Sequence, residues 1–445
     1  MKPAKPNPDK TKPVNVDDII VCPGCDILMS LEPIKVPLGS QLVCPRCRHR
    51  IRSPKKNTVN RTLALSLTGL LFFIPAHFLL LIQLQVLGMF DQGTAIDSMQ
   101  AVYQQKYFFV AFMVVLTALL IPLIKLVLLF LVSLGISRQI FIQQMPRLFR
   151  WYTHFEEWGM TEVFLLGILI TIIKMNHTGD ISYEIGFFCF IGLALALVAC
   201  VFTLDKHCYW REIERLKSSE KNKKTLPPDN VETMQPALLS GLVQCHTCHK
   251  VIIYKQPEPG LELHCPRCGG IVHKRIPNSI STTWALILTA VIFSLPANFL
   301  PIMEVEFLGS PERSTIMDGI IYFFQTGSYG IGIVILTASI LVPMFKVVGL
   351  MILLYSIHFN RDTRLKQKSI MFRFIEFIGR WSMLDIFVIA LLCALVDFGF
   401  FTRITTAPAA TFFTFVVLAT MFAAISFDPR LLWDITTPKG SISKE

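Results

Sequence analysis

The sequence has little charge, since Asp, Glu, Lys and Arg together make up only 16% of its 445 residues. Soluble domains carry about 25% charged residues, so this chain lacks the polar surface that a water-solvated enzyme needs. Tyrosine and tryptophan are also scarce, at 9 and 6 residues, whereas there are 35 phenylalanines and 53% of the chain is hydrophobic. The composition excludes an ordinary soluble enzyme and predicts a membrane protein.

The common signatures of enzymes are also missing, because no Walker loop, nucleophile elbow or His-Glu-x-x-His motif is present. The glycines of QTGSYGIGI (325–333) lack the preceding strand and the lysine of a phosphate-binding loop. No cleavable signal peptide is visible, because residues 1–17 are polar and rich in Pro and Lys. We predict a protein that is not an enzyme and does not hydrolyse ATP.

Positive charge is in excess, with a formal net charge of +11 at pH 7. The basic residues cluster between long apolar runs, as they do in the cytoplasmic loops of membrane proteins, so we predict no nucleic-acid partner. Segments 137–150 and 206–224 are basic, whereas connections 86–106 and 305–328 carry more acid than base. This asymmetry predicts a multi-pass protein with both termini and the cysteine-rich segments in the cytoplasm.

The chain contains an internal duplication with a shift of about 220 residues, a period read from the sequence itself. The run IPAHFLLLIQLQVLG (74–88) matches LPANFLPIMEVEFLG (295–309), and WGMTEVF (158–164) matches WSMLDIF (381–387). LDKHCYW (204–210) matches FDPRLLW (427–433). The predicted organisation is a disordered tail (1–17), ribbon 1 (18–55), bundle 1 (58–210), a cytoplasmic linker (211–240), ribbon 2 (241–275), bundle 2 (278–433) and a second tail (434–445).

Each module contains four apolar stretches of about the twenty residues that a membrane-spanning helix requires. The fold class is therefore an all-α polytopic membrane protein of two tandem modules, each a small β zinc ribbon followed by a four-helix transmembrane bundle. The segments before the third helices, 141–158 and 365–381, mix aromatic and basic residues. They are either amphipathic helices in the headgroup layer or extensions of the third helix. The predicted spans are 62–84, 107–135, 160–177 and 184–204, then 281–303, 329–357, 382–400 and 408–427.

Eight of the twelve cysteines form four C-x-x-C pairs, two in each module. The paired spacing is that of a zinc ribbon, in which four thiolates surround one Zn²⁺; iron in a rubredoxin-like site is the alternative. A head of about thirty residues has too small a core to fold alone, so the metal supplies folding energy. We predict two structural metal sites that dock each head onto its bundle or onto a partner. The predicted ligands are Cys22, Cys25, Cys44 and Cys47 in the first head and Cys245, Cys248, Cys265 and Cys268 in the second.

Charged residues inside predicted spans are costly, by at least about 2.5–3.5 kcal/mol each on insertion scales, and so are functional candidates. Lys346 and Asp385 in module two correspond to Lys125 and Glu162 in module one, and we expect each lysine to lie near its acid. Module two adds Ser339 and Ser382, which are Ala and Gly in module one. We therefore predict that bundle 2 uses this cluster as a proton relay or polar gate; the alternative is a buried structural ion pair.

Prolines interrupt two helices in each module. Pro75 and Pro296 predict a kinked first helix. Pro122 and Pro343 precede the buried lysines by three residues and should free a backbone carbonyl.

These motifs together resemble the paraquat-inducible protein A family over nearly the whole chain: the duplicated ribbon-plus-bundle order, the C-P-x-C pairs, the P-x-x-K helix and the W-S-M-L-D-I-F block. The resemblance implies a bacterial inner-membrane protein that works beside an MCE-domain tunnel protein in the periplasm. In such systems the membrane component moves phospholipid between the inner membrane and the tunnel. The residues leave two other functions open, a membrane-anchored redox or metal sensor and a small-solute transporter.

Overall fold

The computed structural model describes residues 14–15, 19–30, 36–37, 39–86, 89–175, 180–217, 225–226, 234–254, 262–307, 310–327, 329–395 and 402–435. The predicted tails at 1–17 and 434–445 lie outside these residues, apart from 14–15 and 434–435. Most of the predicted linker, including 218–224 and 227–233, also lies outside them.

The first module begins with short antiparallel strands and continues into helices, of which the long ones are mostly apolar. Strands β2 and β3 form one hairpin of the ribbon, and β4 and β5 form the other. The strands are β1 Val14–Asn15, β2 Ile19–Val21, β3 Leu28–Ser30, β4 Leu42–Val43, β5 Arg50–Arg52, β6 Ile82–Val86, β7 Met89–Gly93 and β8 Asp180–Tyr183. The helices are α1 Thr58–Phe78, α2 Ala95–Gln104, α3 Phe108–Val114, α4 Ile121–Arg138, α5 Met145–Phe155, α6 Thr161–Met175, α7 Ile185–Thr203 and α8 Lys206–Lys217.

The second module repeats this order. Its strands are β9 Thr225–Leu226, which pairs with β1, then β10 Leu242–Gln244, β11 Val251–Ile253, β12 Met303–Phe307, β13 Ser310–Ser314 and β14 Thr402–Thr406. Its helices are α9 Ser279–Phe299, α10 Ile316–Gln325, α11 Tyr329–Leu336, α12 Val342–His358, α13 Leu365–Ile378, α14 Leu384–Leu395, α15 Ala409–Ser426 and α16 Leu431–Asp434.

Among the described residues, seven helices are long and apolar enough to cross a membrane. The eighth predicted span is α6, which is apolar but has only 15 residues in its described part. Helices suit this environment because all their backbone groups are paired within the segment, as lipid requires. The prediction of two tandem helical membrane modules with small β ribbons is confirmed, and the chain is a multi-pass membrane protein.

The first helix of each module is shorter than predicted, ending at Phe78 and Phe299 rather than at residues 84 and 303. The residues that follow, including IQLQV in β6 and MEVEF in β12, alternate apolar and polar side chains and form strands instead. In each module a hairpin pairs with the strand before the last helix, which makes two three-stranded sheets, β7-β6-β8 and β13-β12-β14. We call this side of the bundles the sheet side and the opposite side the ribbon side.

The segments before the third helices differ between the modules. In module one, Gly159 and Met160 separate α5 and a short 3-10 turn from α6. In module two, α13, the 3-10 turn Gly379–Met383 and α14 run together as one helical segment from Leu365 to Ala394. The extension of the third helix therefore describes module two, and a separate helix describes module one.

The two bundles share one core, built around their third helices α6 and α14. Gly167 lets these helices approach closely, because a Cβ atom there would lie 3.3 Å from Cβ of Phe387. The Phe164 and Phe387 rings meet edge to face with their centroids 5.3 Å apart. On the sheet side, Gln105 of module one accepts a hydrogen bond from the backbone N–H of Thr406 at 2.7 Å.

Each ribbon packs on the bundle of the other module. The ribbon 1 cysteines share an apolar cluster with Leu350 of α12, Phe372 of α13 and Phe427 after α15. The ribbon 2 cysteines share one with Phe149 of α5 and Trp210 of α8. The expected docking of a head on its own bundle is therefore wrong, because the apolar surface that each head covers lies in the other module.

The ribbons also pack on each other. Ile19, Val21 and Leu28 of ribbon 1 form a small core with Leu242 and Val251 of ribbon 2. The Gln244 amide donates a hydrogen bond across this contact to the Val21 carbonyl at 2.8 Å. Together the paired ribbons form a bridge across the two bundles.

Candidate functional site

The cysteines of each ribbon converge on one point. In ribbon 1, the Sγ atoms of Cys22 and Cys47 lie 3.4 Å apart, and those of Cys25 and Cys44 lie 3.6 Å apart. In ribbon 2 the corresponding distances are 3.6 Å and 3.5 Å, for Cys245 with Cys268 and Cys248 with Cys265. Zn–S bonds of about 2.3 Å place tetrahedral sulfur atoms about 3.8 Å apart. Both sites therefore have the size and donor set of a four-thiolate metal centre.

The backbone around the cysteines supports this geometry. The residue after each second cysteine has a left-handed backbone with positive φ: 59° at Asp26, 60° at Arg48, 56° at His249 and 70° at Gly269. This conformation turns the chain back so that backbone groups close the loop, as in the hydrogen bond from Asp26 N–H to the Cys22 carbonyl at 2.9 Å. All eight cysteines are buried free thiols, so a bound metal would be a structural cross-link with no open coordination position.

Buried ion pairs tie the ribbons to the end of bundle 2. Arg275, between ribbon 2 and α9, bridges Asp26 of ribbon 1 at 2.9 Å and Asp434 of α16 at 2.7 Å. Asp428 pairs with Arg430 at 2.7 Å. Burial raises the pKa of Asp428, but the hydrogen bonds and charge of Arg430 outweigh burial and lower the pKa to about 2. The carboxylate is therefore charged at neutral pH and part of a fixed network. The sequence analysis matched this block within the repeat but did not predict the network.

The predicted polar cluster of bundle 2 is buried. Lys346 has no solvent-exposed surface, and its Nζ donates hydrogen bonds to the Ser382 hydroxyl at 3.2 Å and the Gly379 carbonyl at 3.4 Å. Among the described residues, no ion pair joins Lys346 to Asp385. The structure thus brings Lys346 and Ser382 together without the expected lysine–acid pair.

Asp385 and Ser339 form the other half of the cluster. Both side chains are buried, and Ser339 is the neighbouring polar group of the Asp385 carboxyl. Neither the Ser339 hydroxyl nor Oδ2 of Asp385 makes a hydrogen bond of normal geometry among the described residues, although the hydroxyl lies close enough to interact with the carboxyl. Buried polar atoms are nearly always paired, and unpaired ones are often found at functional sites. This half of the cluster therefore has spare capacity to bind a proton, water or substrate.

In module one, the Lys125 ammonium lies 3.5 Å from the Glu156 carbonyl, a contact equivalent to that of Lys346 with Gly379. Gly159 takes the place of Ser382 and lies against the lysine. Glu162 is half-buried in the first turn of α6, so module one keeps the lysine and the acid but not the hydroxyls.

Both modules widen the helix just before the lysine, a feature that the sequence analysis missed. Residues Val115–Leu120 and Thr337–Leu341 form π-helical turns. Pro122 and Pro343 follow directly, and a proline cannot donate to the carbonyl four residues earlier, which here belongs to Ala118 or Ser339. A wider turn relieves the clash between the proline ring and that carbonyl, and such turns are frequent at functional sites. The feature of the sequence that could have predicted the wider turn is the proline three residues before each intramembrane lysine.

Pro75 and Pro296, which were expected to kink the first helices, lie in the last turn of α1 and α9. His77 is buried, with Nδ1 2.9 Å from the Phe73 carbonyl and its ring stacked on the Phe73 ring. Its counterpart Asn298 is exposed and bonds to the Ser294 carbonyl. Local contacts thus account for Asn298 and for Nδ1 of His77, whereas Nε2 of His77 is buried without a hydrogen-bond partner among the described residues.

We expect Gly159→Ala to destabilise the protein by about 1–3 kcal/mol, the usual cost of overpacking. The new Cβ would lie 2.7 Å from Nζ and 2.9 Å from Cδ of the buried Lys125. The matched control is Gly379→Ala, where a Cβ meets no atom within 4 Å. Thermal unfolding in detergent measures both variants. Equal melting temperatures would contradict the close lysine–glycine packing.

Known proteins resemble this chain over nearly its full length. The family described as "Paraquat-inducible protein A" matches residues 59–214 and 280–437, which are the two bundles. The chain is 31% identical over 424 residues to the intermembrane transport protein PqiA of Escherichia coli K12, covering 93% of this chain and 95% of that one. It is 28% identical over 422 residues to a probable intermembrane transport protein of Haemophilus influenzae, covering 94% and 96%. It is 30% identical over 417 residues to the lipophilic envelope-spanning tunnel protein A of E. coli, covering 93% and 90%. No solved structure matches.

Proposed function

The chain belongs to the paraquat-inducible protein A family, and from this membership we propose that it moves phospholipid between the bacterial inner membrane and a periplasm-spanning MCE-domain tunnel protein. Two relatives are named intermembrane transport proteins and a third is named an envelope-spanning tunnel protein. The identities of 31% and 30% do not separate the two E. coli relatives. The names support transport across the envelope, and the lipid and the tunnel partner are our proposals.

The proposed orientation places the ribbons in the cytoplasm and the sheet side in the periplasm, following the basic segments of the sequence. On the sheet side, α10 exposes Met317, Ile321 and Tyr322. The two three-stranded sheets and helices α2 and α10 offer a folded surface on which a tunnel protein could dock. Each ribbon would hold one structural zinc ion, because four buried thiolates suit Zn²⁺, although the same donors also suit iron.

We assign the polar relay to Lys346, Asp385, Ser339 and Ser382 in bundle 2, with Lys125 and Glu162 supporting the packing of bundle 1. The observation that carries this assignment is the buried Asp385 carboxyl near the hydroxyl of Ser339, a residue of the π-helical turn, with no hydrogen bond of normal geometry at Oδ2. The carboxyl can take up and release a proton, which changes the charge of the cluster without moving the backbone. The fully buried Lys346 ammonium can attract a lipid phosphate.

The energy source proposed for this movement is a proton gradient, because the sequence has no nucleotide-binding motif. Protonation of the carboxyl would leave the Lys346 ammonium as the charge of the cluster and favour entry of a lipid phosphate, and release of the proton would restore the neutral cluster and favour lipid delivery to the tunnel. A small-solute transporter with the same relay would require a narrow polar cavity instead.

The test is photo-crosslinking in cells labelled with radioactive phosphate. Crosslinking residues replace Ile340 and Met383, which flank the two serines, and the controls replace Val348 and Ile352, which are exposed on α12. We expect phospholipid label at Ile340 and Met383 above the level at the controls. Equal or lower label there would contradict lipid entry into bundle 2 and favour the sensor or the small-solute transporter.

A further inference from the structure

A group of basic side chains lies on the ribbon side of module one, where ribbon 1 leads into α1 and α7 leads into α8. We call Arg52, Lys55 and His207 the basic corner. Lys55 Nζ donates a hydrogen bond to the Leu204 carbonyl at 2.9 Å, just after the last residue of the membrane-spanning helix α7. The corner therefore lies at the level where the helix ends and lipid headgroups begin.

Two buried nitrogen atoms of the corner have no hydrogen-bond partner among the described residues, Nε of Arg52 and Nδ1 of His207. Nε of an arginine is always a donor, so leaving it buried and unpaired costs free energy. Burial, and then the charges of Arg52 and Arg267, lower the pKa of His207 to about 4. The imidazole is neutral at neutral pH and can present an N–H at Nδ1, so each atom can donate to an acceptor, and Arg52 is close enough to His207 for its charge to act on the imidazole.

Module two has an arginine paired with a carboxylate at the equivalent position. In the repeat, Asp205 and His207 correspond to Asp428 and Arg430. The backbone N–H of each aspartate donates to a hydroxyl in the first turn of a spanning helix, Thr58 at 3.0 Å and Ser279 at 2.9 Å, so the two positions share their local geometry. The side chains differ, because Asp428 binds the Arg430 guanidinium whereas Asp205 accepts from the backbone N–H of Cys208 at 3.1 Å.

The other acids near the basic corner bind different cations. Glu214 pairs with Lys250 and with Arg267, the latter at 2.7 Å, and Glu156 pairs with Lys206 at 2.6 Å. Among the ion pairs between described residues, none includes Arg52 or Lys55. The corner thus combines two cations and a histidine N–H with one carboxylate, that of Asp205, whose charge acts on both Lys55 and His207.

We propose that the basic corner binds a phosphate oxyanion, with Arg52 Nε and His207 Nδ1 as donors and Lys55 as a neighbouring charge. Arginine and exposed N–H groups are the usual partners of phosphate, and such charge-assisted hydrogen bonds are short and strong. The oxyanion is either the headgroup phosphate of a lipid in the ribbon-side leaflet or free phosphate. The site is separate from the polar relay in bundle 2 and does not depend on transport.

The test measures thermal unfolding of the full chain in two arms. In detergent, inorganic phosphate is compared with chloride at equal ionic strength. In nanodiscs of digalactosyldiacylglycerol, a lipid without phosphate, added phosphatidylglycerol is compared with the glycolipid alone. We expect at least one anion to raise the melting temperature by about 2 °C or more, because a ligand that binds only the folded state stabilises it. A rise in detergent identifies free phosphate as a ligand, and a rise in nanodiscs alone identifies the lipid headgroup.

The variant Arg52→Gln removes the guanidinium and should abolish the rise. The control Arg313→Gln removes an equal charge from an exposed pair with Glu304 on the sheet side and should keep it. If Arg52→Gln does not fold, Lys55→Gln serves instead and should reduce the rise. No rise in either arm for the unchanged chain, or an equal rise in the basic-corner variant and in Arg313→Gln, would overturn the proposal.

Discussion

Replacing Cys22 and Cys25 with serine should loosen bundle 2 and leave bundle 1 intact, although both cysteines belong to the module that contains bundle 1. A structural zinc site contributes about 10–16 kcal/mol in isolated zinc-finger peptides, so losing two ligands should unfold the ribbon. Ribbon 1 covers α13 and α16, where Arg373 donates to the Cys47 carbonyl at 3.0 Å and Arg46 lies 4.4 Å over the Trp433 ring. Unfolding of the ribbon would therefore expose the surfaces of α13 and α16 that it buries.

Hydrogen exchange measures this effect helix by helix. We expect exchange in α13 to rise at least tenfold, the change that about 1.4 kcal/mol produces, with little change in α5. The matched variant replaces Cys245 and Cys248 with serine. It should raise exchange in α5 and leave exchange in α13 little changed, since Phe149 of α5 packs with ribbon 2. If each variant exposed the bundle of its own module, crosswise docking would be wrong.

Because each ribbon packs on the bundle of the other module, the paired ribbons hold the two bundles together. Neither bundle can move far on the ribbon side without breaking the ribbon–ribbon contact or the ion pairs of Arg275. Movement during a transport cycle would then be largest on the sheet side. There the modules meet without a ribbon between them, through the packing of α2 on α14 and the hydrogen bond of Gln105 with Thr406.

Much of the fold could be predicted from the sequence because its strongest signals are local. Paired C-x-x-C motifs at ribbon spacing predict four thiolates around one point, and both groups converge as expected. Apolar runs of about twenty residues predict spanning helices because lipid offers no partner for a free backbone group. The internal repeat then extends each prediction to the second module.

The rest depends on contacts between distant residues. Nothing near Cys22 indicates that ribbon 1 covers α13, because covering either bundle would satisfy the same local pattern. The alternation in IQLQV was hidden within an apolar run, so the first helices were predicted too long. The lysine and the acid of bundle 2 were expected to pair because pairing lowers the cost of burial, but Lys346 binds Ser382 and a backbone carbonyl instead.

Asp385→Asn should stop transport without unfolding the protein. The amide has nearly the same shape as the carboxyl but cannot take up and release a proton. Because Oδ2 of Asp385 has no hydrogen-bond partner among the described residues, the change breaks no bond there. Removing a group that transfers protons costs about 10²-fold or more in rate, so we expect a loss of that size. The melting temperature should stay close to that of the unchanged chain.

The matched control is Glu162→Gln, the same change at the equivalent position of module one. Glu162 is half-buried, and bundle 1 has Ala118 and Gly159 at the positions of Ser339 and Ser382. We expect this variant to keep most of the transport rate. If Glu162→Gln lost as much of the transport rate as Asp385→Asn, the relay would belong to both bundles.

The most direct measurement is the rate at which a labelled phospholipid passes from vesicles containing the full chain to the tunnel protein under an imposed pH gradient. If bundle 2 is the transporting module, the unchanged chain and Glu162→Gln should transfer lipid at a rate that depends on the pH gradient. Asp385→Asn should lose about 10²-fold of that rate. Transfer by folded Asp385→Asn at the rate of the unchanged chain would contradict the proposed relay.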